Sequence, residues 1–157
     1  MGFFKKKENN AAVSGANLQQ MKKAAVQSAL QDMDLNYQFV NTDDGRCAFK
    51  FGFKFEKMSV TFFVILSENG ALEFISDDIA KLQDGVRAGV LDELNRANSD
   101  YRFGKYYITP DGGIRLQQCV SNNIAPEKIA DEIKFLIVVS IRILEDDYAK
   151  IMKANWK

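Results

Sequence analysis

The sequence feature that most constrains the fold is the run from Arg46 to Phe55, in which large apolar side chains alternate with small or charged ones. The apolar positions are Cys47, Phe49, Phe51, Phe53 and Phe55. Because successive side chains of a β-strand point to opposite faces, this pattern places all five on one face of a strand. A phenylalanine side chain contributes about 1.5–3 kcal/mol only when it is removed from water. The rest of the chain must therefore supply a covering layer.

Three glycine-closed turns predict that this strand belongs to an antiparallel sheet. The turns are Asp43-Asp44-Gly45, Glu68-Asn69-Gly70 and Pro110-Asp111-Gly112. Each fits a hairpin loop that ends in a glycine with positive φ, and loop length then sets the register of the two strands. We predict strands at 36–42, 46–55, 58–67 and 71–76, and a later hairpin with Thr109 opposite Gly113. The predicted cross-strand pairs include Phe39–Phe49, Phe51–Phe62, Val64–Phe74 and Tyr106–Leu116.

Helical periodicity predicts three helices that can cover the sheet. Apolar side chains recur every three or four residues over 17–33, 86–97 and 126–151. In the first helix, Lys22 is expected to face water. The last helix is apolar almost all round between Phe135 and Ile143, which is typical of a helix that is buried on both sides or contacts another molecule. The predicted fold is α+β, with an antiparallel sheet of five to six strands, helices mainly on one face, and the order α-β-β-β-β-α-β-β-α.

The length of the chain suits one domain. A chain of 157 residues, 46% of them hydrophobic, can bury a core of its own. We place that domain at residues 17–157 and expect residues 1–16 to form a flexible tail. Phe3 and Phe4 precede three lysines in this tail, and weak contact with a membrane surface is the alternative to plain disorder. No apolar run reaches the length of a membrane-spanning helix.

The composition argues against most catalytic and metal chemistry. The sequence contains no histidine, which removes imidazole bases, the Ser-His-Asp arrangement and most zinc sites. Cys47 and Cys119 lie on separate predicted strands, and we expect free, buried thiols in a cytoplasmic protein. The acidic runs at 43–44, 77–78 and 145–147 fit turns, caps and a solvated helix face. We therefore predict no catalytic residue, no metal and no cofactor.

The balanced charge of the chain argues against a general nucleic-acid-binding function. Basic and acidic residues are equal at 21 each, so the chain lacks the long-range field of a general nucleic-acid binder. One local alternative is a basic and aromatic outer sheet face that stacks single-stranded nucleic acid weakly. The residues of that face are Lys50, Lys54, Lys105 and Arg115 with Phe63, Phe103 and Tyr107. A solvated sheet face is the simpler interpretation.

Three short motifs follow one another in the second half of the chain. They are Leu94-Asn95-x-x-Asn98, Phe103-Gly104-Lys105-Tyr106 and Asp111-Gly112-Gly113-Ile114. In this order they resemble the YbjN-like family, which is described as bacterial sensory transduction regulators with a fold similar to the type III secretion chaperones. The resemblance covers most of residues 17–155. It implies a non-enzymatic, chaperone-like module that dimerises or holds another polypeptide.

The motif residues also have a structural interpretation that does not depend on the family. Leu94 fits a core position, while Asn95 and Asn98 lie near a helix end, where backbone carbonyls lack partners. Gly104 within a strand indicates a bulge or a close approach by another backbone. We expect these residues, with Phe103, to be structural rather than ligand contacts.

Two functional classes remain. The first is an interaction module that binds a protein partner or a second copy through surplus apolar surface. Its candidate residues are Phe63 and Ile65 on the outer sheet face and Phe135, Val138, Val139 and Arg142 on the last helix. The second is a small-ligand receptor or enzyme with a pocket between helices and sheet. The sequence offers no nucleophile and base pair for it, which favours the first class.

Overall fold

The computed structural model describes residues 15–56 and 58–157, and within them three helices lie against a seven-stranded sheet. The helices are α1 (Gly15–Asp32), α2 (Arg87–Asp100) and α3 (Ile129–Asn155), and a short 3-10 turn, Pro126–Lys128, precedes α3. The strands are β1 (Tyr37–Asn41), β2 (Cys47–Lys54), β3 (Ser59–Leu66), β4 (Leu72–Ser76), β5 (Ala80–Lys81), β6 (Gly104–Ile108) and β7 (Gly113–Gln118). The predicted α+β class and element order are confirmed, and β5 is an additional short strand.

Turn geometry sets the register, as predicted. The pairs Phe39–Phe49, Phe51–Phe62, Val64–Phe74 and Tyr106–Leu116 are all present. Gly45, Gly70 and Gly112 close the three turns with φ of 77°, 80° and 83°. Every strand pair is antiparallel, and the strands β1 to β4 follow one another across the sheet. β7 pairs with β4 and β5 along one side and with β6 along the other, so β1 and β6 form the two edges.

The inner face of the sheet packs against the helices. Phe49, Phe62 and Phe74 are almost completely buried there, and the last two rings lie 5.2 Å apart between centroids. α3 contacts both α1 and α2 and contributes a continuous buried side to the same core. The aromatic alternation of β2 is therefore satisfied by helices on one side, as expected from the sequence. Phe53 and Phe55, at the far end of the run, are only partly buried.

Three details differ from the sequence predictions. α1 begins at Gly15 rather than Asn17. The remaining predictions for the tail, including its membrane contact, concern residues outside the described part of the chain. Lys22 is 1% exposed, so its predicted contact with water is wrong. Its Nζ donates to the carbonyl oxygens of Gly70 at 2.7 Å and Asn122 at 3.3 Å, and burial lowers the pKa of this ammonium group. Both thiols are free, but Cys119 is exposed while Cys47 is buried.

The helices of the described residues are not of the membrane-spanning kind. None combines the length and the apolar composition that crossing a bilayer requires. α3, at 27 residues, is the longest of them, and charged residues interrupt its apolar stretch.

Candidate interaction surfaces

The exposed side of α3 carries large apolar side chains. Phe135 is 52% exposed and Val138 is 64% exposed, one turn apart in the first half of the helix. We call Lys134, Phe135, Val138, Arg142 and Glu145 the α3 stripe, and all five are exposed. The opposite side of the helix is buried through Ile133, Leu136, Ile137, Ser140 and Leu144. Because that side is already packed, the α3 stripe is surplus to the core.

The predicted partner-binding residues fall on two separate surfaces. Val139 is half-buried beside the α3 stripe, whereas Phe63 and Ile65 are half-buried on the outer sheet face, away from the helices. Phe63 pairs with Lys50 across β2 and β3, and the Lys50 Nζ lies 5.9 Å from the centroid of the Phe63 ring. One rigid partner therefore cannot contact all of these residues through a single flat patch.

The outer sheet face carries less available positive charge than its sequence indicates. Arg115 Nε donates to Asp78 Oδ1 at 2.6 Å, and this hydrogen bond raises the pKa of Arg115. Lys105 Nζ donates to the carbonyl oxygens of Asn98 at 2.6 Å and Tyr101 at 2.7 Å. These two cations are thus engaged within the fold. Lys50 and Lys54 remain, which is a small charge for holding a nucleic-acid backbone.

The family-type motif residues link α2 to the edge strand β6. The side chain of Asn98 pairs with the backbone of Tyr106 twice: Nδ2 donates to the carbonyl oxygen at 3.0 Å, and Oδ1 accepts from the N–H at 2.6 Å. Leu94 is buried, whereas Asn95 is exposed and Phe103 is 49% exposed. A Cβ atom at Gly104 would lie 2.7 Å from Cδ1 of Ile143, so the close neighbour there is a side chain of α3 and not the backbone that we expected.

Sequence reasoning missed a buried carboxylate between α2 and α3. Asp147 is 1% exposed, although the acidic run 145–147 was expected to lie on a solvated helix face. Arg96 Nη2 donates to its Oδ1 at 2.9 Å, while the same guanidinium contacts Glu93 and Asp100 at 2.7 Å. The spacing of Asp147 from Leu144 and Ile151 matches the buried stripe, and that signal was available in the sequence.

Two tyrosines beside this cluster have raised pKa values. Burial, with the charges of Asp147 and Asp146 adding to it, raises the pKa of Tyr101 to about 12. The Tyr101 hydroxyl donates to Asp146 Oδ2 at 3.2 Å. Burial, followed by the charge of Asp147, also raises the pKa of Tyr106, whose hydroxyl donates to the Ile143 carbonyl at 3.4 Å. Both hydroxyls are therefore neutral donors at physiological pH.

A cavity lies between the β2–β3 turn and α3, where the ligand-binding alternative would place its pocket. Its volume is about 180 Å³, and its lining is Phe55, Glu56, Met58, Leu144, Glu145, Tyr148 and Ala149. Pockets for drug-sized ligands measure roughly 300–1,000 Å³, so this one suits a single side chain better than a substrate. Within residues 15–56 and 58–157, no group of three His, Cys, Asp or Glu side chains could hold a metal ion.

Comparison with known proteins identifies a family for most of the chain. Neither the curated proteins nor the solved structures contain a match, so the chaperone-like part of the fold description stays a prediction. A model of the YbjN family, described as "Putative bacterial sensory transduction regulator", matches residues 22–151. That range includes all seven strands, the motif residues from Leu94 to Gly104 and most of α3. The chain therefore belongs to the YbjN family.

Proposed function

We propose that this protein is a non-enzymatic protein-interaction module whose protein partner binds the α3 stripe. The observation that carries the proposal is the exposure of Phe135 and Val138 on a helix whose opposite side is packed in the core. Large apolar side chains at the centre of a patch, with charged groups around them, are typical anchors of protein interfaces. A regulator family is a fitting context for such a module.

Other features fit the same proposal. The two free thiols suit a protein of the reducing cytoplasm, where we place it. The function requires no metal or cofactor, because the α3 stripe acts through burial and charge alone. Phe63 and Ile65 lie on the other side of the sheet, and we assign them to a separate, weaker contact surface. The cavity beside Glu145 then serves as a socket for one partner side chain at the end of the α3 stripe.

The test compares substitutions of exposed apolar residues on α3 with a substitution of a similarly exposed apolar residue on β1. Full-length protein with Phe135→Ser and Val138→Ser is compared with a Val40→Ser control, since Val40 is 48% exposed on β1. Tagged chains are used to capture proteins from the native cell, followed by quantitative mass spectrometry. We expect the captured proteins to be lost from the α3 variant and retained by the control. Equal capture by both would show that the α3 stripe is not the binding surface.

A further inference from the structure

We propose that the cavity between the β2–β3 turn and α3, which we call the Glu145 cavity, binds an arginine side chain of the protein partner. This inference rests on the proposed function, since it names the group that the partner places at one end of the α3 stripe. Its support is the chemistry of the cavity wall. The wall combines apolar and aromatic side chains with two carboxylates and, among the described residues, includes no cation. A guanidinium group on an apolar stem matches that combination.

The strand side of the Glu145 cavity is held by a tight turn. The N–H of Phe55 donates to the carbonyl oxygen of Met58 at 2.7 Å, which fixes the two residues at the ends of the turn. Both side chains are half-buried and line the cavity, and Glu56 beside them is exposed. The turn therefore supplies an aromatic ring, a thioether and a carboxylate to the same wall.

The helix side of the cavity is formed by two adjacent turns of α3. Leu144 is buried and Tyr148 is half-buried, whereas Glu145 and Ala149 are exposed. Leu144 and Tyr148 are one turn apart, as are Glu145 and Ala149, so the four residues are neighbours on the helix surface. Ala149 has the smallest side chain of the lining, and a longer side chain at this position would fill part of the cavity.

The two carboxylates of the cavity are available to a partner. Glu56 and Glu145 are exposed, and neither forms an ion pair within residues 15–56 and 58–157. The nearby cation of Lys150 is engaged elsewhere, because its Nζ lies 3.7 Å from Asp147 Oδ1. A cation that enters the cavity is therefore attracted by two negative charges, whereas a carboxylate is repelled by both.

The size of the cavity suits the end of one long side chain. A volume of about 180 Å³ equals that of about six water molecules at ~30 Å³ each, comparable with a guanidinium group and its last methylenes. The wall favours arginine over lysine, because the planar guanidinium stacks on rings such as Phe55 and Tyr148 and donates to two carboxylates at once. An apolar side chain would displace water from the carboxylates without replacing its hydrogen bonds.

The Glu145 cavity adjoins the apolar part of the α3 stripe. Leu144 follows Val138 by six residues, which is about 9 Å along the helix axis. Glu145 belongs to both the stripe and the cavity wall. One partner can therefore cover Phe135 and Val138 and place an arginine in the cavity. The apolar contact then supplies most of the attraction, and the arginine adds specificity.

A titration of the full-length protein with model compounds tests the site directly. N-acetylarginine methylamide is added to isotopically labelled protein, and the backbone amide shifts are followed by NMR. We expect saturable shifts at Glu56, Glu145 and Ala149, with a dissociation constant of about 1–10 mM. The citrulline analogue has a similar shape without the charge and should bind about tenfold more weakly. The lysine analogue should fall between the two, because it lacks the planar group.

Three substitutions connect the binding to the cavity. Glu56→Gln and Glu145→Gln should each raise the dissociation constant about two- to fivefold, as expected for the loss of one exposed ion pair. Ala149→Leu occupies the cavity and should raise the constant about tenfold or more. Glu127→Gln removes an exposed carboxylate just before α3, outside the cavity, and serves as the matched control. Circular dichroism and urea unfolding verify that each variant is folded.

Adding Ala149→Leu to the capture experiment tests whether the arginine comes from a protein partner. We expect this variant to lose captured proteins, as the chain with Phe135→Ser and Val138→Ser does, while Glu127→Gln retains them. Loss from the Phe135→Ser and Val138→Ser chain alone would support the α3 stripe and overturn the arginine proposal. The proposed function and the arginine site can therefore fail separately.

Two results of the titration would also overturn the arginine proposal. One is the absence of shifts at the cavity residues up to about 50 mM of the arginine compound. The other is equal binding of the arginine and citrulline compounds, or equal binding of the arginine compound to the wild type and Ala149→Leu. Equal binding would show that the contact does not depend on the charge or that it lies outside the cavity.

Discussion

The side of α3 that faces the sheet and the side that faces solvent carry similar residues in different settings. Leu136 is 1% exposed, whereas Val138, two residues later, is 64% exposed. Asp147 is buried and accepts from Arg96, whereas its neighbour Asp146 is exposed and accepts from the Tyr101 hydroxyl. The comparison shows that residue type alone does not decide a role. An apolar residue on the solvent side contributes little to folding and is free to bind.

The largest expected difference between the two sides of α3 is in the cost of shortening an apolar side chain. Leu136→Ala should lower the free energy of unfolding by about 2–5 kcal/mol, because it leaves a cavity in a packed core. Val138→Ala should change the same quantity by less than about 0.5 kcal/mol for the isolated chain. Urea unfolding of both variants measures the difference. Equal losses would show that Val138 is part of the core.

The second difference concerns the two neighbouring carboxylates. Asp147→Ala should lower the free energy of unfolding by about 1–3 kcal/mol, since a buried charge-assisted hydrogen bond is lost. The loss stays moderate because Arg96 is partly exposed and keeps Glu93 and Asp100 as partners. Asp146→Ala should cost less than about 0.5 kcal/mol, as is usual for an exposed position. Thermal unfolding of the Asp147→Ala and Asp146→Ala variants at one pH compares their losses of stability. A larger loss in Asp146→Ala would contradict the expected order.

The smallest effect is a pH dependence where α2 meets the solvent side of α3. The pKa of Tyr101 is raised to about 12 in the folded protein, whereas an unfolded tyrosine titrates near 10. Between these values the unfolded chain has lost the proton and the folded chain has kept it, so stability falls as pH rises. Tyr101→Phe should therefore lose less stability than the wild type between pH 10 and 12. Unfolding curves of the wild type and Tyr101→Phe across that pH range, with Tyr107→Phe as control, measure this difference in stability.

The sheet was predictable because its determinants are local. Alternation along β2 and the length of each glycine-closed turn together define which residues face each other, and pairs such as Phe51–Phe62 followed directly. β5 was not visible, because two residues carry no periodicity. The burial of Lys22 was also beyond a local pattern, since its acceptors lie 48 and 100 residues away in the chain. Only the folded arrangement brings those two carbonyls to one ammonium group.

The exposed side of α3, the proposed interaction surface, was only partly predictable for a different reason. The middle of α3 is apolar all round, so periodicity could name Phe135, Val138 and Val139 together without separating their sides. The structure separates them, because α1 and α2 flank α3 and leave one side open. Asp147 was missed because an acidic run was assigned to solvent as a unit. Its position on the buried stripe, between Leu144 and Ile151, was the better guide.

The double hydrogen bond between Asn98 and Tyr106 has a consequence for self-association through the sheet. It occupies the outward backbone groups at the centre of β6, so a foreign strand finds no bonding groups there. At the opposite margin, the alternation of antiparallel bonding turns the backbone groups of Tyr37, Phe39 and Asn41 outward. Strand addition is therefore less favourable at the centre of β6 than along β1.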